Sequence, residues 1–366
     1  MMSEETALTG QNCIMITGGA GFIGCKLSSL LLSFGLPIVA VDNLHPQVHP
    51  GQTRPELMPD YVNLFVMDIC DGESWRQVLS KWKPRILVHL AAETGTGQSL
   101  TESSRHAMVN VVGTTRMLDA LLEASYRPDH VLLSSSRAVY GEGAWKDPDG
   151  EVCYPGIRGV EALEAGRWNF TNQDAREMSP LPHRAGSTVP KPTSVYGATK
   201  LAQEQILGAW CSAIGVPLSI LRFQNVYGPG QSPFNAYTGI INLFYRQAYG
   251  KESINVYEDG AVGRDFVFID DVARACKAAL DRPARTIRIL DVGTGRPTTI
   301  LDAALEIAKL NDAPPPTISG RFRPGDVRWA VAETDDLERQ LRVKASVSFE
   351  EGVRLLGNWL VSKHYV

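Results

Sequence analysis

The sequence predicts a doubly wound α/β fold, a parallel sheet with helices on both faces, joined to a smaller mixed α/β domain. Three observations carry that expectation. Short β-rich runs alternate with helix-like stretches through the first 220 or so residues, the pattern of crossover units that build a parallel sheet. A glycine-rich turn, TGGAGFIG at 17–24, directly follows an apolar strand and opens a helix. The length of 366 residues is about 2.4 times a usual domain of roughly 150, enough for one large domain and a smaller partner.

The elements follow in order. Residues 13–17 form the first strand, 22–34 a helix and 37–41 the second strand. Further strands are expected at 63–67, 85–90, 130–134 and 217–221, each a short β-rich run closed by turn or polar residues. Helices fit between them, notably at 106–124 and 197–213. Residues 44–60, rich in Pro, His and Gln, read as a surface loop of the kind that closes over a ligand. Residues 141–192 carry acidic, Pro and Trp residues and hold only a short helix near 159–166; a loop that long is functional or mobile. Past residue 225 the elements are shorter and mixed, ending in an amphipathic helix at 349–361. The expected division is 12–224 for the large domain, with the insertion 141–192, and 225–366 mainly for the smaller one, with part of this stretch returning to the large sheet.

Composition narrows the partners. Hydrophobic residues make up 44% and charged residues 21%, with 33 Gly and 22 Pro, which excludes disorder, collagen and coiled coil as overall descriptions. The 36 basic and 40 acidic residues leave a net charge of −4, so no global basic field exists for nucleic acid or anionic lipid. The polar, acidic first twelve residues lack the apolar core of a signal peptide, and no later run approaches the ~18 apolar residues of a membrane span, so a cytoplasmic protein is expected. The six cysteines lie far apart, without the close pairs of a zinc site, and read as buried thiols; no metal is expected.

The glycine turn is the strongest local motif. Glycines after a strand let the backbone approach a pyrophosphate, and the exposed amides and dipole of the following helix favour negative charge. The spacing here, Gly18, Gly21 and Gly24, is Gly-x-x-Gly-x-x-Gly, and such a turn alone also serves tight packing. Asp42 strengthens the cofactor reading: it ends the second strand 24 residues after Gly18, where a carboxylate binds ribose hydroxyls and repels a 2′-phosphate. With no Arg or Lys at Asn43 or Leu44, NAD is favoured over NADP.

Tyr196 and Lys200 are spaced by four on an expected helix and share one face. A tyrosine of pKa about 10 is a poor base at neutral pH, and lowering it by ~3 units takes about 4 kcal/mol of phenolate stabilisation. An ammonium one turn away, with a positively charged nicotinamide, has the required sign. The pair is common by chance and gains weight from SSSRAVYG at 134–141, where a hydroxyl such as Ser136 at a strand's carboxyl end can hydrogen-bond a substrate oxygen. Serine clusters also simply make turns.

Together TGGAGFIG, Asp42, HLAAETGTGQS, SSSRAVYG, YGATK, RFQNVYGPG and GRDFVFIDD resemble the extended short-chain dehydrogenase/reductase family of Rossmann enzymes, in particular its NAD-dependent nucleotide-sugar epimerases and dehydratases. The resemblance runs from residue 12 to about 360 and looks nearest to the epimerases acting on dTDP-L-rhamnose, with UDP-galactose 4-epimerases as relatives. It implies that Tyr196 is the general base, that Lys200 lowers its pKa and binds the nicotinamide ribose, and that Ser136 hydrogen-bonds the sugar hydroxyl at C4. It further implies that Gly18, Gly21, Phe22 and Ile23 meet the pyrophosphate, Asp42 and Asn43 the adenosine ribose, and Asp68 and Ile69 the adenine. Leu90, Ala91, Ala92 and Asn110 would support the nicotinamide half. Asn225, Arg264 and Arg323 (in RFRPGD) fall where the family holds the substrate diphosphate, which two guanidiniums suit. Asn242, Leu243 and Tyr257 match positions lining the nucleotide. A homodimer through the helices at 106–124 and 197–213 is also implied.

The departures refine the expectation. Dehydratases carry an acidic pair, or at least a Glu, where this chain has Arg137 and Ala138, so elimination of water lacks its acid. Thr94 stands where bacterial galactose epimerases place a Lys near the sugar, and the insertion at 141–192 is similar to a loop of the rhamnose subgroup. The expected reaction is C4 inversion of a dTDP or UDP hexose, foremost dTDP-L-rhamnose to dTDP-6-deoxy-L-talose. A UDP-galactose or UDP-uronate 4-epimerase is the alternative, and a non-catalytic NAD-sensing protein, which would lack the Tyr-Lys pair, the third reading.

Overall fold

A computed structural model describes residues 10–233 and 239–366. Strands β1 (Gln11–Thr17), β2 (Ile38–Asp42), β3 (Asn63–Val66), β4 (Trp82–His89), β5 (His130–Ser136), β6 (Leu218–Phe223) and β7 (Ile287–Val292) form one seven-stranded sheet in the order β7-β6-β5-β4-β1-β2-β3. Every neighbouring pair in it is parallel. The chain therefore leaves β1 toward one edge and resumes at β4 toward the other, which puts the crevice past the carboxyl ends of β1 and β4.

The inner strands β1, β5 and β6, with β2, are buried on both faces, which is why they read as continuous apolar runs, whereas the edge strand β3 is half-exposed. Along β1, Ile14 and Ile16 face α1 (Phe22–Leu30), while Cys13 and Met15 face α2 (Gly72–Lys81), α3 (Thr114–Glu123) and α4 (Val195–Ile214). A third core gathers α5 (Ile240–Tyr249), α7 (Ile300–Leu310) and α8 (Phe349–Ser362) around Phe244, Phe266, Ile307 and Leu356. Between them in sequence, α6 (Ile269–Asp281) packs beside α1 on the large sheet, and β7 extends that sheet beside β6. No described helix is long and apolar enough to cross a membrane.

Two expected elements differ in detail. The helix expected at 106–124 starts as Ser103–Ala107, widens into a π-type turn at Met108–Gly113 and continues as α3. The cause is local: the Thr114 hydroxyl donates to the Asn110 carbonyl at 2.6 Å, and the Asn110 side chain is spent elsewhere. Such wide turns cluster at functional sites. The insertion 141–192 is anchored to the smaller core. Beyond helix Val160–Glu164 it forms a small antiparallel sheet from Trp145–Lys146, Val152–Cys153 and Ser179–Pro180. Buried Arg158 then grips Glu258 with two bonds of 2.7 and 2.8 Å. Cysteines 13, 25, 211 and 276 are buried, whereas Cys70 and Cys153 are only half-buried, and all six are free.

A buried ion pair stiffens the floor beneath the serine turn. Glu204 on α4 accepts from Ser135 and takes Arg222 Nε and Nη2 at 2.9 and 2.6 Å. Arg222 also lies 4.7 Å over the Tyr140 ring, and the Tyr140 hydroxyl donates to Asp291 on β7. Breaking a buried pair leaves an uncompensated charge, so Glu204→Leu should cost about 3–5 kcal/mol. The cost appears as a lower urea midpoint at unchanged slope, with recovery in the double variant Glu204→Leu/Arg222→Met. An unchanged midpoint in the single variant contradicts it.

Candidate active site

Gly18 makes the first turn of the crevice. Its φ is +67°, and a Cβ there would lie 2.7 Å from the Ala91 nitrogen, so only glycine lets the turn rest against the end of β4. Gly21 caps α1 with no side chain, which leaves the helix's first amides open to an anion. Asp42, ending β2, accepts from the amides of Ala20 at 3.0 Å and Leu44 at 2.9 Å, tying the second strand to the glycine turn. One cavity is lined by Gly18, Gly21, Asp42, Asn43, Met67, Asp68, Ile69, Leu90, Ala91, Ala92 and Thr94. This donor set fits a dinucleotide: amides for a pyrophosphate, a carboxylate for ribose hydroxyls, apolar walls for a base.

Three expected cofactor residues sit differently. Phe22 lines a second cavity with Lys26, His49 and Trp359, and Ile23 packs against the core, so these two can reach a pyrophosphate only through main-chain amides. Asn110 is fully buried. It accepts from Glu93 N at 2.7 Å and donates to Glu93 O at 3.0 Å and Thr199 Oγ1 at 2.9 Å, fastening the segment after β4 to α4 from beneath.

β5 ends at Ser136, whose Oγ accepts from the Ala138 amide at 3.1 Å and starts the turn Arg137–Tyr140. Opposite it, Ser194 caps α4. A Cβ at Gly197 would fall 2.5 Å from the Ala138 carbonyl oxygen, so glycine lets the first turn of α4 press onto the serine turn. That contact brings Tyr196 beside Ser136, 60 positions away in sequence, close enough for the serine hydroxyl to act on the phenol. Burial pushes the phenol's pKa up, while the Ser136 hydroxyl and the Arg137 charge pull it down. The environment thus still needs a cation to make Tyr196 a base.

Lys200, one turn on, is 2% exposed. Burial pushes its pKa down to about 7, with the Glu204 charge opposing. Its ammonium donates to Gln203 Oε1, and Gln203 Nε2 donates to Thr114 Oγ1 at 2.9 Å. His89 joins them, with Nδ1 2.7 Å from Thr17 Oγ1 and Nε2 2.9 Å from Thr114 Oγ1. Its Nε2 also lies 3.1 Å from Gln203 Nε2, so the imidazole is held at both nitrogens inside this network. Burial and the nearby Lys200 charge hold His89 at about 3, so it is neutral at working pH.

Two of the expected anion residues gather at Arg137, which bonds Asn225 and feels the charge of Arg264. Strands Asn225–Tyr227 and Phe266–Phe268 pair in parallel, which sets Asn225 opposite Phe266, two residues after Arg264. Arg264 is buried, its Nη1 donating to the Gly263 carbonyl at 2.8 Å. Arg323 stacks 5.3 Å over the Tyr257 ring. Asn242 is buried against Gln231 with its Oδ1 unsatisfied, and Leu243 beside it is half-exposed. Several participants escaped the sequence reading. Arg105, bonded to Glu93 at 2.7 Å, lines the cofactor cavity with His45 and Gln47. Arg137, noted only as a missing acid, places its Nε 3.0 Å from Asn225 Oδ1.

Known proteins agree with this geometry. Over 363 residues the chain is 50% identical to a dTDP-L-rhamnose 4-epimerase of Burkholderia thailandensis, covering 99% of each. Among solved structures, UDP-glucose 4-epimerase from Thermotoga maritima with UDP-glucose superposes with a TM-score of 0.78 at 25% identity, covering 97% of this chain and 100% of that one. UDP-glucose 4-epimerase from Thermus thermophilus in complex with NAD gives 0.74 at 26%, covering 96% and 99%. With residues 14–156 and 173–293 also matching its pattern, the chain belongs to the NAD dependent epimerase/dehydratase family.

Proposed function

We propose that the protein inverts the C4 hydroxyl of a nucleotide-activated 6-deoxyhexose, interconverting dTDP-L-rhamnose and dTDP-6-deoxy-L-talose. The observation that carries the reading is the placement of Tyr196 beside Ser136 and the Arg137 charge, with Lys200 one turn on and a dinucleotide cavity past the ends of β1 and β4. The half-identical relative named for dTDP-L-rhamnose supports the sugar, as do Thr94 and the absence of an acid at Arg137 and Ala138.

Ser136 hydrogen-bonds O4 of the sugar, and the Tyr196 phenolate takes the proton of the C4 hydroxyl. Lys200, held by Gln203, stabilises the phenolate and orients the nicotinamide ribose. NAD, held along Gly18, Asp42 and Ala91, would supply reversible hydride acceptance at C4 with no net change in the cofactor. Between the two transfers the 4-keto sugar presents its other face, and Tyr196 gives the proton back to O4. Because one pocket serves both faces, binding falls on the diphosphate, through Asn225, Arg264 and Arg323, and only lightly on sugar hydroxyls. Asn242, Leu243 and Tyr257 line the nucleotide in this reading.

Residues 12–224 form the NAD-binding domain and 225–366 mainly the substrate domain, with α6 and β7 serving the large sheet. The enzyme works in the cytoplasm as a homodimer, joined through the α3 and α4 surface.

The test is incubation of purified protein, without added cofactor, with dTDP-L-rhamnose and separately with UDP-galactose in deuterated water, followed by proton NMR. Inversion at C4 of the rhamnose nucleotide with no deuterium entering carbon is expected. Activity on the UDP sugar alone replaces the proposed substrate, and deuterium at carbon rules out internal hydride return.

A further inference from the structure

The arginines around the substrate side divide into two groups. Arg158 and Arg328 are neutralised: Arg158 pairs with Glu258 and Glu142, Arg328 with Glu258 and Asp259. Arg137 and Arg264 have no ion-pair partner among the described residues. Arg264 spends one nitrogen on the Gly263 carbonyl. Arg137 spends only its Nε, on Asn225 Oδ1, and its two terminal nitrogens meet no hydrogen-bond partner among the described residues. Asp326 and Glu142 are the acids whose charges both feel, and neither forms an ion pair with Arg137 or Arg264.

Holding two guanidiniums together without acids is costly, and the cost is visible. Burial, then the neighbouring Arg264 charge, pushes the Arg137 pKa down to about 9, so it still carries its charge at neutral pH. A ligand bearing two negative charges relieves that repulsion. Position decides which end of the ligand Arg137 meets. It directly follows Ser136, its charge reaches the Tyr196 phenol, and its Nε bonds Asn225, so its guanidinium stands near both the reacting hydroxyl and an expected diphosphate contact.

We propose that Arg137 is a third guanidinium of the diphosphate site and holds the sugar-bearing β-phosphate of the nucleotide sugar beside Tyr196. The proposal rests on the reading of this site as one for a nucleotide diphosphate sugar. It also gives the reaction a pivot. A sugar that must turn over with few hydroxyl contacts needs its attachment phosphate fixed close to the base, and the two terminal nitrogens of a guanidinium fix a phosphate in two directions.

The test compares dTDP and UDP with dTMP and UMP, binding each by calorimetry to the NAD-loaded wild type, Arg137→Gln and Arg137→Lys. The monophosphates lack the β-phosphate and serve as the internal control. Wild type binds a diphosphate more tightly than its monophosphate. Arg137→Gln loses about ten- to a hundredfold of that diphosphate affinity while monophosphate affinity holds, the size of a hydrogen-bonded charge removed. Arg137→Lys, which keeps the charge and gives up the Asn225 bond, retains most of the preference. Equal losses for diphosphate and monophosphate in Arg137→Gln, or a preference lost as fully in Arg137→Lys, overturn the proposal in favour of a structural tie to Asn225. A wild type that binds both nucleotides equally overturns the diphosphate reading itself.

Discussion

Replacing Tyr196 with Phe should lower kcat for C4 inversion by at least about a thousandfold while the protein keeps its fold and its NAD. The substitution removes one oxygen from a ring held by the α4 turn, and that oxygen is the proton acceptor. The ring position does not depend on it: Ser194 caps the helix, and Gly197 presses it onto the Ala138 carbonyl. Ser136 keeps the Ala138 amide, so the serine turn survives. NAD content, read by absorbance after denaturation, should match wild type, because the expected cofactor contacts lie at Gly18, Asp42 and Ala91 on the far side of the crevice. A variant with more than about a tenth of wild-type activity removes Tyr196 from the reaction.

The sequence made the sheet legible for a physical reason. A parallel strand covered on both faces has no polar side, so β1, β2, β4, β5 and β6 stand out as short apolar runs between turns. β7 does not, because Arg288 and Asp291 interrupt it, and Asp291 is tolerated only as the acceptor for Tyr140, 151 residues away. α2 is similarly quiet, a polar stretch whose Trp75, Val78 and Leu79 alone turn inward. Local motifs located Gly18, Asp42, Ser136, Tyr196 and Lys200, because each function needs a residue type at a fixed short spacing.

What stayed hidden depends on long-range pairing. Arg137 looks like an absent acid until its Nε is found on Asn225, 88 residues on. The insertion looks loose until Arg158 is seen to bury its charge on Glu258, 100 residues on. Asn110 matches a cofactor motif in sequence, yet its side chain is consumed by Glu93 and Thr199. Gln203 gave no sign at all, since a glutamine three residues after a lysine on a helix is ordinarily solvated.

That glutamine matters for the second large effect. Replacing Lys200 with Met should reduce kcat/KM at pH 7 by about a hundred- to ten-thousandfold and move the acid limb of the pH profile upward. Burial raises the Tyr196 pKa, and the Ser136 hydroxyl and Arg137 charge oppose it; Lys200, one turn on along the same helix, is the further cation that the proposed mechanism calls on. Without it the phenolate becomes rarer at neutral pH, tenfold for each unit the limb moves, and recovers as pH rises. The variant should therefore regain activity toward pH 10, and the wild-type advantage should be largest at and below about pH 7, where Lys200 still carries its charge. The sign separates this from simple damage: a distorted site loses activity at every pH alike. His89 does not contribute the limb, because burial and Lys200 hold it near 3, below the working range. A Gln203→Leu variant gives the intermediate case. It frees the ammonium from its carbonyl anchor and should shift the same limb in the same direction, by less. If Lys200→Met lowers activity with an unmoved limb, the lysine only binds the cofactor ribose, and the phenolate draws its stabilisation from Arg137 and Ser136 instead.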